Sequence, residues 1–388
     1  MKKYLIVFLC FLMVGCTQEN AEYEEAEMVD SNMNYEDSQK SSEFEIYLKN
    51  ENEGKIMEAG IYISAESGYE TIYDFERSST EHSIYGLEMN ISDEFPLSHV
   101  LQCYVNGKTP LVTIYANSKS SISFIDSFRL AREFGSLNIP IYLNLVPYSS
   151  NDWPDFDVYK ETWEEIAHVF ESFAANTTII WSIASSDSPL YESVVPETTL
   201  FDRTGLIYYG QIDNEGMDFL NSLDTLYSLT DKPIVISAFG ISHYSTSTHQ
   251  YRTDEAASII NNLYTVLASK YPKVSSIVYV DKDLTVNSPP KVICNNYRVT
   301  DEKGLLESYS QTVSEFVKKS SDKYIKTNFI GKILNDRYYI PKEMFEYYNL
   351  TISDMAEESF EYEGYIALDS IDSLRGKIED EIVYLLEK

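Results

Sequence analysis

The chain has 388 residues, 44% of them hydrophobic, enough for one large domain and something smaller. Its formal net charge of -32 repels polyphosphates and anionic lipid headgroups, which excludes nucleic acid as a partner. Tyrosine is abundant, at 32 residues, and pairs an apolar face with a polar tip, a combination that serves carbohydrate surfaces as well as plain packing.

Lys2 and Lys3 precede a short apolar run over residues 4–14, the pattern of a signal peptide and too short for a membrane span. The run ends in Met13-Val14-Gly15-Cys16, which resembles a bacterial lipobox. That resemblance implies a signal over 1–16, lipidation of Cys16, and an extracytoplasmic protein anchored to the membrane by acyl chains. Ordinary cleavage beside an incidental cysteine is the alternative. Residues 17–42 are rich in Glu, Asp, Asn, Gln and Ser, too polar to offset their ordering entropy, and read as a disordered acidic tether. Cys103 and Cys294 remain after Cys10 leaves, as one disulfide or as two separate buried thiols.

A strand–helix rhythm follows. Strands are expected over 55–64, 83–91, 110–116, 139–145, 178–183, 205–211, 233–237 and 275–280, each short, mostly apolar and bounded by polar turns, as in parallel strands covered on both faces. Helices are expected over 97–104, stopped by Asn106-Gly107, over 121–134, ending at Gly135, and through Tyr159, Trp163, Ile166, Phe170 and Phe173. Others run through Phe219, Leu223 and Leu226, from Thr253 as its cap through Leu267, and over 302–318. Eight such strands in about 265 residues fit a (β/α)8 TIM barrel over 43–320 better than an open doubly wound sheet. Residues 321–388 read as a small α+β module with a doubled motif. Tyr339-Ile340-Pro341 precedes the helical-looking KEMFEYYNL, and Tyr365-Ile366-Ala367 precedes LDSIDSLRG.

Three stretches of the barrel carry a family likeness: Phe95-Pro96-Leu97 with the run 107–114, the stretch 163–182 (WEEIAHVFESFAANTTIIWS), and Leu229 to Pro233 leading into Phe239-Gly240. Together they resemble glycoside hydrolase family 26, the β-mannanase-like barrels. The resemblance implies an acid/base glutamate closing the fourth strand and a nucleophilic glutamate closing the seventh. A retaining glycosidase needs those two carboxyls about 5–5.5 Å apart. In this sequence the corresponding positions hold Tyr148, with Pro147 beside it, and Ala238. Both catalytic carboxylates are replaced, so the resemblance implies a barrel that has lost its chemistry. Relocated carboxylates are the alternative, among Asp152, Asp155, Asp187, Glu192, Asp213, Glu215, Asp281 and Asp283.

A surviving glycan groove would use Tyr148, Trp153, Trp181, Tyr208, Tyr209 and Tyr244 for stacking and Asn144, Gln211 and His243 for hydroxyls. No metal-ligand spacing or cofactor motif emerges. The tail pair, 335–341 and 364–368, resembles copper amine oxidase N-terminal-like stalk repeats, with no copper site implied. The reading is a cell-surface lipoprotein with a degenerate, polysaccharide-binding barrel. Its alternatives are an active β-glycan hydrolase and a surface assembly protein that binds a protein partner.

Overall fold

The structure, a computed structural model, describes residues 7–10, 41–50, 52–63, 67–69, 71–116, 122–212, 216–286, 294–335, 337–347, 361–362, 364–367, 374–379 and 382–387. They form two compact units, one of Glu51–Asp322 and one of Met1–Asn50 with Lys323–Lys388.

The first unit is a closed barrel of eight parallel strands. In chain order these are β1 (Glu58–Ile63), β2 (Ile84–Asn90), β3 (Thr109–Tyr115), β4 (Ile141–Leu145), β5 (Thr177–Ala184), β6 (Arg203–Gly210), β7 (Ile234–Ile241) and β8 (Val274–Asp281). Strand β8 returns to β1 in parallel register, from Ser276 opposite Glu58 to Asp281 opposite Ile63, and so leaves no edge. Helices α1 (Ile72–Ser78), α2 (Leu97–Val105), α3 (Phe124–Ser136), α4 (Phe156–Phe173), α5 (Met217–Leu229), α6 (Thr253–Lys270) and α7 (Lys303–Ser321) connect them. Strand β5 instead leads through a 3-10 segment, Ser185–Leu190, and a single turn, Tyr191–Val194.

The strands are apolar on both faces because each face is covered. Tyr62, Ile84, Leu111, Ile180, Val235, Ala238, Val278 and Val280, drawn from six different strands, form one buried cluster inside the barrel. Above the inner aliphatic residues a hydrogen-bonded chain crosses the interior. The Tyr62 and Thr113 hydroxyls lie 2.8 Å apart, Asn144 Nδ2 donates to Thr113 Oγ1 at 3.2 Å, and Ser182 Oγ donates to Asn144 Oδ1 at 2.7 Å. Ser182 Oγ and Ser237 Oγ, 2.9 Å apart, complete it. Most buried hydroxyls and amides in native interiors are partnered in this way.

Some elements differ from their sequence expectation. Helix α1 was not expected: it has only seven residues and two buried apolar positions, Ile72 and Phe75, too few to show a period, and it is capped by the Thr71 side chain. Gly135 is not a helix stop but lies inside the last turn of α3, where a Cβ would stand 1.9 Å from the Phe173 carbonyl oxygen at the end of α4. Thr253 is the first residue of α6, and Arg252 holds the cap position without a side-chain bond. Both cysteines are free thiols, Cys103 buried and Cys294 only half-buried, so the expectation of a second buried cysteine is corrected.

The second unit contains an antiparallel sheet in the order Val7–Cys10, Ser41–Lys49, Tyr324–Leu334, Arg337–Pro341, Tyr365–Ala367, Glu361–Tyr362. Ser41–Lys49, which the sequence reading divides between tether and barrel, belongs here. It pairs from Ser41 opposite Leu334 to Lys49 opposite Tyr324 and buries Phe44, Ile46 and Leu48 in strict alternation. The doubled motif is partly visible. Tyr339-Ile340-Pro341 and Tyr365-Ile366-Ala367 are strands that pair with each other, and the first is followed by the helix Lys342–Tyr347. Leu374-Arg375-Gly376, expected to be helical, opens a strand instead, Leu374–Glu379, paired with Ile382–Glu387. The signal over 1–16 lies outside the described residues apart from Val7–Cys10, as do Cys16 and all but the end of the tether over 17–42.

Candidate functional site

In a parallel barrel, side chains at the carboxyl ends of the strands meet at one mouth. Here the inward parity of β2, set by Ile84, continues through Gly86 and Glu88, and Glu88 is the carboxylate the mouth is built around. Lys282, just after β8, places Nζ 2.8 Å from Glu88 Oε2, and the Tyr115 hydroxyl at the end of β3 donates to Oε1 at 3.1 Å. Two clefts meet at this pair. One, of about 380 Å³, is lined by Tyr62, Tyr69, Thr71, Tyr85, His99 and Gln102 with Glu88 and Lys282. The other, of about 420 Å³, is lined by Asn90, Asp93, Tyr115, Tyr209 and Leu284 with the same pair. Tyr209, at the end of β6, is 36% exposed and meets Tyr297 edge-on at 5.3 Å.

The positions that the family likeness marks for catalysis carry no carboxylate chemistry. Ala238 faces the barrel interior as a methyl group of the apolar cluster. Tyr148 is 1% exposed, wedged between Phe156 and Tyr159, and bridges to Ile183. Burial, with the Asp187 charge adding to it, pushes its phenol up to about 12, so it stays protonated.

Most of the expected groove is barrel wall, and the sequence expectation is corrected for five residues. Trp181 and Asn144 are fully buried, Trp153 and Tyr208 almost so, and Tyr148 with them, so none offers a free face to a sugar. Trp153 Nε1 donates to the Ala116 carbonyl at 2.9 Å, Trp181 Nε1 donates to the Tyr159 hydroxyl at 2.7 Å, and Tyr208 donates to the Asp218 carboxylate. Tyr209 does reach the mouth. Gln211, His243 and Tyr244 gather beside it around a small polar pocket on the loops after β6 and β7.

The carboxylates considered as substitutes, where the structure describes them, have structural partners or lie open to solvent. Asp155 caps α4 by accepting from Asp157 N and Val158 N, and Asp187 accepts from Ser150 N and Oγ. Asp281 is fully buried and accepts from Thr300 N at 3.1 Å and Thr300 Oγ1 at 2.8 Å, yet burial still pushes its carboxyl up to about 6. Asp283 accepts from Thr285, while Asp152 and Glu192 are exposed. Asp213 and Glu215 lie outside the described residues. Glu88 was missed because the family likeness directs attention to β4 and β7. The available signal was a lone charge within an apolar strand, on the same parity as Ile84.

Fold and mouth together define a (β/α)8 barrel with a tyrosine-lined opening at the carboxyl ends of its strands. No protein-family model matches the chain, and no curated protein matches it in sequence. Among solved structures it is similar to a GH113 β-1,4-mannanase, at 9% identity and a TM-score of 0.46 over 68% of this chain and 99% of that one. It is also similar to a GH128 (subgroup VII) oligosaccharide-binding protein from Trichoderma gamsii, at 14% identity and a TM-score of 0.41 over 69% and 95%. A third is GH26C from a Muricauda species, at 13% identity and a TM-score of 0.45 over 58% and 79%. None of these likenesses bears on function, and the barrel is defined by its own strand pairing.

Proposed function

We propose that this protein is a surface lipoprotein, anchored through Cys16 once residues 1–15, with the edge strand Val7–Cys10, are removed, and that its barrel mouth binds a neutral polysaccharide without cleaving it. The observation that carries this reading is the double cleft around Glu88 and Lys282. Its walls combine several tyrosines with neutral hydrogen-bonding groups, and both Glu88 oxygens are already engaged. Aromatic faces stack on pyranose rings, and an adjacent carboxylate and ammonium offer an acceptor and a donor to neighbouring hydroxyls. Lys282 at 2.8 Å and Tyr115 at 3.1 Å each occupy one Glu88 oxygen, so neither stands free to attack a sugar carbon. The surplus of negative charge disfavours anionic polysaccharides.

One observation favours hydrolysis instead: Asp93 lines the same cleft as Glu88. Affinity electrophoresis of the full chain on mannan, xylan and laminarin, with reducing-sugar release measured in parallel, separates the readings. The expected result is retardation on one polymer, no sugar release, and about a 2–12-fold weaker interaction for Tyr209→Ala, the worth of one aromatic contact. Sugar release that disappears in Glu88→Gln would establish the hydrolase. Neither retardation nor release would leave the barrel as a presenter of loops to a protein partner.

A further inference from the structure

The small pocket lined by His243 and Asn295 contains polar atoms that the described residues leave unpaired. His243 is 1% exposed, and neither Nδ1 nor Nε2 has a hydrogen-bond partner among the described residues. Asn295 lines the same pocket. Its Nδ2 lies 3.2 Å from the Tyr297 hydroxyl, while its buried Oδ1 has no partner among the described residues. Turning the amide over only exchanges which of its two atoms is orphaned. The backbone holds both residues firmly: His243 N donates to the Asn296 carbonyl at 3.0 Å, and Ser245 pairs with Asn295. Buried polar groups in native proteins are nearly always satisfied, so two such residues facing one cavity call for a partner from outside.

The chemistry of the orphans selects that partner. Burial holds the His243 imidazole below its ordinary range, against the pull of Asp301, Asp283 and Glu302, with Arg298 acting in the same direction as burial. A neutral imidazole gives one donor and one acceptor, and the Asn295 oxygen adds an acceptor. An anion would meet the negative charges of Asp301, Asp283 and Glu302 that act on this ring, whereas a neutral hydroxyl group serves donor and acceptor alike. The pocket, about 40 Å³, exceeds the roughly 10–15 Å³ that one water needs, so a hydroxyl-sized group fits beside the two orphans. Its exposed rim includes Gln211 and Gln250.

We propose that the loops after β6, β7 and β8 form a second binding slot, in which His243 and Asn295 take one hydroxyl or hydroxymethyl arm of a neutral polyol. Tyr297 joins this slot to the mouth, touching Asn295 on one side and Tyr209 on the other. That the natural ligand is a saccharide lying across both rests on the glycan reading above; the slot itself does not.

The test follows the imidazole nitrogens of the full chain by long-range 1H–15N spectra, with His243→Phe assigning one of the five histidines. Probes are glycerol, mannotetraose, laminaritetraose and sodium phosphate. Saturable movement of the His243 signals with glycerol, none with phosphate, and about fivefold weaker glycerol binding in Asn295→Ala, the worth of one hydrogen bond, is the expected result. Movement with phosphate alone overturns the proposal, as does a silent His243, which would mean a cavity filled by water. Glycerol binding unchanged by Asn295→Ala overturns the two-residue slot. Glycerol movement in a protein that no polysaccharide retards sinks the mouth reading and keeps the slot. Retardation with a silent His243 does the reverse.

Discussion

Trp181→Ala is expected to destabilise the barrel by about 3–5 kcal/mol, a large part of the roughly 5–15 kcal/mol that holds a domain together. The side chain is fully buried, donates to Tyr159 at 2.7 Å, and packs on Tyr191 at 5.4 Å and Phe201 at 5.9 Å. Truncation opens a cavity in the wall between β5 and α4 and removes the donor that the Tyr159 oxygen accepts from. Urea denaturation measures the loss. Any polysaccharide retardation by the molecules that remain folded should equal wild type, because the indole faces no cleft. An unchanged unfolding midpoint with lost retardation would return Trp181 to the binding surface.

The second large effect is electrostatic and hidden in the wild-type protein. His82 is 2% exposed, with Nδ1 2.9 Å from the Thr80 carbonyl and Nε2 2.9 Å from the Tyr309 hydroxyl, and burial pushes it from 6.5 down to about 4. The unfolded chain therefore binds the extra proton first, so this group's contribution is complete above about pH 6.5 and lost as pH falls through about 4. Asp281 runs the other way. Its carboxyl is pushed from 3.8 up to about 6, the folded state takes the proton first, and the contribution present at low pH is lost as pH rises through about 6. Each displacement is worth about 3 kcal/mol, so over the shared window the two nearly cancel. Asp281→Asn, which keeps groups able to bond Thr300, should gain up to about 3 kcal/mol at pH 7. Its stability should also climb between about pH 4 and 6.5, where His82 acts unopposed. Urea midpoints across that range decide the matter: an asparagine variant no more stable than wild type at pH 7 rules out a burdened carboxylate at 281.

The barrel was legible because strands covered on both faces are short apolar runs, and eight such runs were marked off by turn residues. Which way a side chain points was not legible. Tyr208 and Tyr209 are neighbours of the same type, yet one packs outward against Phe219 and Phe239 and the other reaches the mouth. Only the register of the closed barrel separates them. The same blindness to parity turned Trp181 into an expected sugar platform and passed over Glu88. The alternation of Phe44, Ile46 and Leu48 could be read locally, but the partner of that strand lies in Tyr324–Leu334, beyond the whole barrel in sequence, and no local pattern points across such a distance.

That pairing has a mechanical consequence. The barrel unit, Glu51–Asp322, is inserted between two strands that clasp each other, and Asn50 N donates to the Lys323 carbonyl at 3.0 Å where the chain leaves and returns. Ser41 and Leu334 are opposite partners at the far end of the clasp. Tension applied at Ser41 and Leu334 themselves opens the pair like a zip, one rung after another. The barrel, strung behind the last rung, carries no load until the clasp has parted.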